Sequence, residues 1–211
     1  KTEIKNSVNI LKNDSDYFTI DYDTIEIQND IFIAYFDSNC VFNLVKNNLD
    51  TIFKQEDLFP DFEFIDFNND HFKDIKIRNG GNTPSVYTML LYNKKKKTFT
   101  LLEDLREFPE PNLIKNTNYY YSYHKSGCAD MNWDSDLFYI ENFKTIKIGN
   151  ISANECNEKD EEFGITISKV KNDNYTFYKK LPIGIIHKYD DYKWGFIKEY
   201  WTKNYNKFLM Q

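Results

Sequence analysis

Apolar and polar residues alternate with a period of two along much of the chain, which predicts strands. From Ile25 to Phe36 two alternating runs flank Asn29-Asp30, a pair suited to a two-residue hairpin turn. Phe62 to Phe67 alternate again, and Val86 to Tyr92 is a run of strong strand formers. Asn93 and the run Lys94–Lys97 lead into Thr98–Leu102, a second hairpin whose lysines form a solvated tip. Asn118–His124 (NYYYSYH) and Asp136–Ile140 (DLFYI) read as further strands. Phe143 to Ile151 places Phe143, Thr145, Lys147 and Gly149 on one side and Lys144, Ile146, Ile148 and Asn150 on the other. Phe163–Val170 and Tyr175–Leu181 flank Lys171–Asn174 as a third hairpin. Polar turns at such short intervals predict an all-β fold, either small and β-propeller-like or a meander of hairpins.

Two segments break the period. Cys40–Lys54 places Val41, Phe42, Leu44, Val45, Leu49, Ile52 and Phe53 at roughly helical spacing. Trp194–Leu209 gathers Ile197, Tyr200, Trp201, Tyr205, Phe208 and Leu209 near one face and reads as a helix or as a terminal strand. One or two short helices are therefore expected within a single β-rich domain over residues 1–211.

Composition narrows the class. With 18 Phe and 16 Tyr in 211 residues the chain can bury a substantial core, so wholesale disorder is excluded. No run approaches 18 apolar residues, so no membrane-spanning segment is expected. The net charge of −6 argues against a nucleic-acid partner and suits a basic protein or a metal cation. Three cysteines, Cys40, Cys128 and Cys156, leave open three free thiols or one of three pairings. Cys128 with Cys156 closes the shortest loop, worth about 3–4 kcal/mol by loop entropy. That pairing would leave Cys40 as a free, buried thiol.

Chemistry concentrates in Asp66-Phe67-Asn68-Asn69-Asp70-His71-Phe72-Lys73-Asp74. Hard cations need several oxygen ligands, and carboxylates and amides at alternate positions of a tight loop supply them. Asp66, Asn68, Asp70 and Asp74 would give side-chain oxygens to Ca2+, and Phe72 its backbone carbonyl. Ile77 at the twelfth position rules out an EF-hand, and His71 stands where calcium loops carry Gly. Without a metal the same segment makes a polar turn with Asx hydrogen bonds.

The loop, followed by IKIRNGGNTPSVYTMLLYNKKKKTFTLLEDL, resembles an FG-GAP/VCBS-type blade. The stretch from Phe62 to about Cys156 resembles periplasmic immunity proteins that inhibit secreted lysozyme-like peptidoglycan hydrolases. DFNNDHFKDI, the YTMLLYNKKKKTFTLLEDL hairpin and WDSDLFYI carry the likeness. Residues 1–50 and 157–211 lie outside it. The resemblance implies a β-propeller-like fold, no enzymatic activity and a secreted peptidoglycan hydrolase as partner. It also implies a periplasmic or outer-membrane lipoprotein location.

It gives a reason for a second cluster, Ser126 to Asp136 (SGCADMNWDSD). Some lysozyme inhibitors insert a Ser-Gly-bearing loop into the hydrolase cleft, which makes Ser126, Gly127, Asp130, Trp133, Asp134 and Asp136 candidate partner-binding residues. Aromatic residues are common interface anchors. The alternative is a disulfide-pinned turn with Trp133 buried.

Other chemistries are weaker. His124 and Cys128 are four apart, a nucleophile pairing without any family signature. His124, Cys128, Cys156 and His187 lack zinc-ligand spacing. Asp134 and Asp136 could serve as a glycosidase pair. Asn79–Asn82 is a turn, not a phosphate loop. The rival reading is a calcium-dependent carbohydrate-binding or adhesion module using Tyr119–Tyr121, Trp133 and Trp201 as stacking platforms.

Overall fold

Three two-residue turns set the register of the sheets. Gln28-Asn29, Asn142-Phe143 and Asn172-Asp173 all have positive φ, between 48° and 70°. Turns of this kind match the right-handed twist of antiparallel strands. They bring Ile27 opposite Asp30, Glu141 opposite Lys144 and Lys171 opposite Asn174. The first turn lies one residue before the expected Asn29-Asp30, and the third is two residues long, with Lys171 and Asn174 in the ladder.

The computed structural model describes residues 5–12, 16–47, 50–80, 84–156, 159 and 161–209, with side chains from residue 22 onward. Gly81 and Asn82 of the Asn79–Asn82 turn, and Leu49 of the expected helix, lie outside the described residues. The fold is all-β, with antiparallel sheets and few helices. Contacts divide the chain into two units, Lys1–Gly80 with Tyr87–Leu101 and Gly81–Val86 with Leu102–Gln211, where the sequence reads as one domain.

The first unit holds two meanders. β1 (Lys5–Lys12), β2 (Asp16–Ile27), β3 (Asp30–Phe36), β4 (Phe42–Lys46) and β5 (Asp50–Gln55) pair in chain order. So do β6 (Phe62–Ile65), β7 (Asp74–Arg78), β8 (Tyr87–Asn93) and β9 (Thr98–Leu101). Both sheets contribute to one aromatic core, in which Phe32 meets Phe99 at 5.0 Å and Phe42 meets Phe62 at 5.4 Å between ring centroids. The helix expected over Cys40–Lys54 is instead the β4–β5 hairpin. Every residue from Val41 to Val45 is buried, because β4 is an interior strand of its sheet. A strand buried on both faces loses its alternation and cannot be told from a helix by period. Cys40 is free and exposed in the turn before β4, not buried as expected.

In the second unit β10 (Asn112–Leu113), β11 (Tyr119–Tyr121), β13 (Trp133–Glu141), β14 (Lys144–Asn154), β15 (Gly164–Lys171) and β16 (Asn174–Leu181) form a meander, and β12 (His124–Lys125) pairs with β13. One face packs against α1 (Tyr192–Asn204) and the 3-10 turn Tyr205–Phe208, which together fill the expected helical segment. Phe196, Ile197 and Trp201 are the buried residues of α1, and Trp201 Nε1 donates to Ser135 Oγ at 2.8 Å. Gly149 permits this approach, since a Cβ there would lie 2.8 Å from Phe208.

A register shift between Leu137 and Phe138 sets Leu137 opposite Gly149 but Phe138 opposite Lys147, leaving Ile148 as the extra residue of β14. Such bulges re-aim side chains. The alternation expected over Phe143–Ile151 therefore fails across the bulge: Ile148 joins the core, while Asn150, expected on its side, faces the opposite way together with Lys147.

Candidate functional site

The acidic loop of the first unit joins β6 to β7. Asp66 Oδ1 and Asn68 Oδ1 accept from the Asp70 N–H at 3.0 and 3.1 Å, and Asp66 Oδ2 accepts from the His71 N–H at 3.1 Å. Asp70 Oδ1 accepts from the Phe72 N–H at 2.9 Å. His71 and Asn69 occupy the left-handed region, with φ of 70° and 56°. Asp74 is fully buried and accepts from the N–H groups of Phe67 and Tyr92, both at 2.9 Å. Burial pushes its carboxyl up to about 7, against the pull of those two donors. Lys94 Nζ lies 3.1 Å from the Asp70 carbonyl and 3.5 Å from Asp70 Oδ2.

The donor types therefore suit a hard cation, but their oxygens face the loop's own amides. Among the described residues no group of three or more His, Cys, Asp or Glu is arranged to hold a metal ion. Phe72, assigned a carbonyl ligand, stacks its ring on Tyr92 at 5.2 Å.

The segment between β12 and β13 is held differently. Gly127, Cys128, Ala129 and Asp130 have φ of 108°, 52°, 50° and 72°. Ser126 to Ala129 are exposed. Three ties hold this tip. Cys128 is disulfide-bonded to Cys156. Ser126 Oγ donates to the Asp134 carboxylate. From α1, Lys193 Nζ reaches Asp130 Oδ2 at 2.9 Å, the Asp130 carbonyl at 3.0 Å and the Tyr123 hydroxyl at 2.9 Å. Tyr123 in turn donates to Asp130. Burial raises the Asp130 pKa, and the Tyr123 and Lys193 contacts outweigh it, so the carboxyl sits below its ordinary value.

Ser126, Gly127 and Asp130 thus share one fixed loop, while the other three candidates, Trp133, Asp134 and Asp136, lie on β13. Trp133 is fully buried, packed near Phe196 at 6.3 Å, and is no surface anchor. It is the first core-facing residue of β13 and shares its cluster with Phe196, Ile197 and Trp201 of α1. The disulfide leaves Cys128 and Cys156 no thiol, so neither the cysteine nucleophile nor the zinc set is formed. Tyr120 and Trp201 are also buried, which removes most of the expected stacking platforms.

Asp134 and Asp136 open onto a trough of about 870 Å³ on the face opposite α1, within the usual range of ligand sites. Asp136 Oδ2 lies 3.0 Å from His124 Nε2 and 3.2 Å from Lys147 Nζ, and Oδ1 accepts from Asn150 Nδ2 at 2.9 Å. Burial pushes Asp136 up, but the His124, Lys147 and Asn150 contacts win, so its pKa is lowered. Burial lowers Lys147 and the Asp136 charge raises it; the net direction is upward.

Sequence reasoning missed Lys147, Asn150, Ser152, Thr166 and Ser168. Their signal was polar alternation, Asn150-x-Ser152-x-Asn154 on β14 and Thr166-x-Ser168 on β15.

No family model matches this sequence, and no curated protein matches it. A solved structure of a Xanthomonas type IV secretion system related protein is similar over 84% of this chain and 100% of its own, at 13% identity and a TM-score of 0.47. Among the described residues no helix is long and apolar enough to cross a membrane.

Proposed function

We propose that this chain is a non-enzymatic inhibitor that binds a secreted cell-wall hydrolase and blocks its cleft with the loop between β12 and β13. The observation that carries this reading is the backbone of Cys128, Ala129 and Asp130, three successive non-glycine residues at positive φ in an exposed tip. Such strain persists only where the surroundings over-determine it, and it clusters at binding sites. Here the disulfide, Lys193 and Asp134 hold the tip before any partner arrives. A preorganised loop loses little entropy on docking. The net charge of −6 favours fast association with a cationic hydrolase. A disulfide fits an oxidising compartment, in keeping with a periplasmic or lipoprotein location.

The test is peptidoglycan clearing by a panel of lysozyme-like hydrolases, including any encoded beside this chain, with and without the purified protein. The expected result is stoichiometric inhibition of at least one enzyme. Ala129→Arg should weaken it at least about tenfold, or ~1.4 kcal/mol, with unchanged melting. Muropeptide release by the chain alone, or no inhibition across the panel, overturns the reading.

A further inference from the structure

We propose that the trough opposite α1 is a binding site for a neutral oligosaccharide, separate from the loop and independent of the hydrolase reading.

The register builds the trough as two rungs of side chains across the sheet, because directly paired residues on neighbouring strands point to the same face. The first rung runs His124, Asp134, Ser152, Thr166 and Lys180. The second runs Asp136, Asn150, Ser168 and Phe177. The first crosses five strands, about 19 Å at the usual inter-strand spacing, and the rungs lie about 7 Å apart. Those dimensions suit an extended chain of sugars better than a single ring.

The open face of an antiparallel sheet is normally well solvated. Here the inner three residues of the second rung are sheltered: Asp136 is 2% exposed, Ser168 8% and Asn150 9%, although the core lies on the other face. The floor is therefore a concave array of short hydroxyl, amide and carboxylate groups, both donors and acceptors. Asp136 is offset within the floor by Lys147 and His124. Around the trough four carboxylates face three ammonium groups, so its charge nearly cancels. That balance disfavours nucleic acid, phosphorylated ligands and polycations, which need a field of one sign.

The edge strand completes the site. Tyr175 and Phe177 project from β16 toward the trough and are 54% and 65% exposed. Two exposed aromatic rings beside a polar floor offer a flat apolar surface to the CH face of a sugar, while its hydroxyls reach Asn150, Ser152, Thr166 and Ser168. A peptide strand fits less well, because the trough floor lacks the apolar pockets that read alternate side chains.

The experiment titrates the full chain with neutral tetrasaccharides (chitotetraose, cellotetraose, maltotetraose and mannotetraose) and with a sulfated tetrasaccharide, followed by amide NMR. At least one neutral tetrasaccharide should bind at millimolar concentration or below. Its shifts should centre on Asn150, Ser152, Thr166 and Ser168. Phe177→Ala should weaken binding at least about tenfold, with unchanged melting because the ring is exposed. Ser152→Trp should abolish binding by filling the trough. Ala129→Arg should leave saccharide binding intact, which separates this site from the inhibitory loop. Absence of binding by every neutral tetrasaccharide, stronger binding of the sulfated one, or binding indifferent to both trough variants overturns the proposal.

Discussion

Asp74 and Asp136 are both buried carboxylates on strands, each near the end of an acidic segment. Asp74 begins β7 and receives hydrogen bonds from two backbone amides, with the Asp66 and Asp70 charges nearby. Asp136 lies within β13 and meets His124, Lys147 and Asn150 side chains. Backbone donors do not offset the desolvation of Asp74, and its pKa rises; a cation and charge-assisted donors do offset that of Asp136, and its pKa falls. The first carboxylate closes a loop on itself. The second sits at the floor of an open trough, with its partners facing the same space. Two segments of similar composition thus divide into an internal staple and a surface that can receive a ligand.

The largest expected effect is the opposite pH response of the two carboxylates. Asp74 titrates at about 7 in the folded chain and near 3.8 when unfolded. Its proton therefore stabilises the first unit fully below about pH 4. That contribution declines as pH rises to 7 and is gone above it. The difference corresponds to roughly 4 kcal/mol. Asp136 has the reverse sign: its folded value is below 3.8, so its stabilisation is present above that pH and lost as pH falls through the folded value. Carbon NMR of the two carboxyl groups, with hydrogen exchange in each unit at pH 3, 5 and 7.5, reads both. A common acidic midpoint for Asp74 and Asp136 would erase the contrast.

Asp136→Ala comes next. It leaves Lys147, largely sheltered beside Tyr175 and Phe108, without its counter-charge. Removing one member of a buried pair costs about 3 kcal/mol. The double substitution Asp136→Ala with Lys147→Met should recover at least half of the loss, measured by urea unfolding. No recovery would mean that the Asp136 carboxylate acts through Asn150 and His124 instead.

The hairpins were legible because their information is local: two-residue alternation, and Asn or Asp at turns that need positive φ. Cys40–Lys54 was misread because Val41 to Val45 are buried without alternation. Trp133 was misplaced because one aromatic between Asn132 and Asp134 does not reveal which face of β13 is covered. The trough was harder still. Its rungs exist only once five strands are in register, and Lys147 reaches Asp136 only because a bulge at Ile148 reverses its direction. No local pattern encodes either. The loop at Ser126–Asp130 was located by Ser-Gly and the nearby cysteine, but its clamp, Lys193, is far along the chain.

Lys193→Met tests that clamp with a smaller expected cost. The ammonium bridges Asp130 and Tyr123, and its loss should cost about 1–2 kcal/mol. The specific readout is faster amide exchange at residues 128–131, with little change along β15 and β16. Uniform acceleration across the second unit would make Lys193 a general packing residue rather than a brace for the tip.

The smallest effect concerns calcium and the staple itself. Asp66, Asn68 and Asp70 are spaced for a cation, yet Lys94 already places an ammonium against Asp70, and His71 holds a left-handed conformation that Gly adopts without strain. A millimolar site at tenfold excess calcium adds about 1.4 kcal/mol. That would raise the melting temperature of the first unit by several degrees, and the native chain should show less than this. Lys94→Ala removes the competing cation, and His71→Gly eases the turn, so the double variant should show the fuller rise and lose it again with Asp70→Ala. Calcium would also draw the Asp74 midpoint down, since a nearby positive charge favours the carboxylate. If the double variant melts identically with and without calcium and Asp74 keeps its midpoint, the loop is a staple alone. The contrast with Asp136 would then be complete, with one acidic segment satisfied by its own backbone and the other open to what binds.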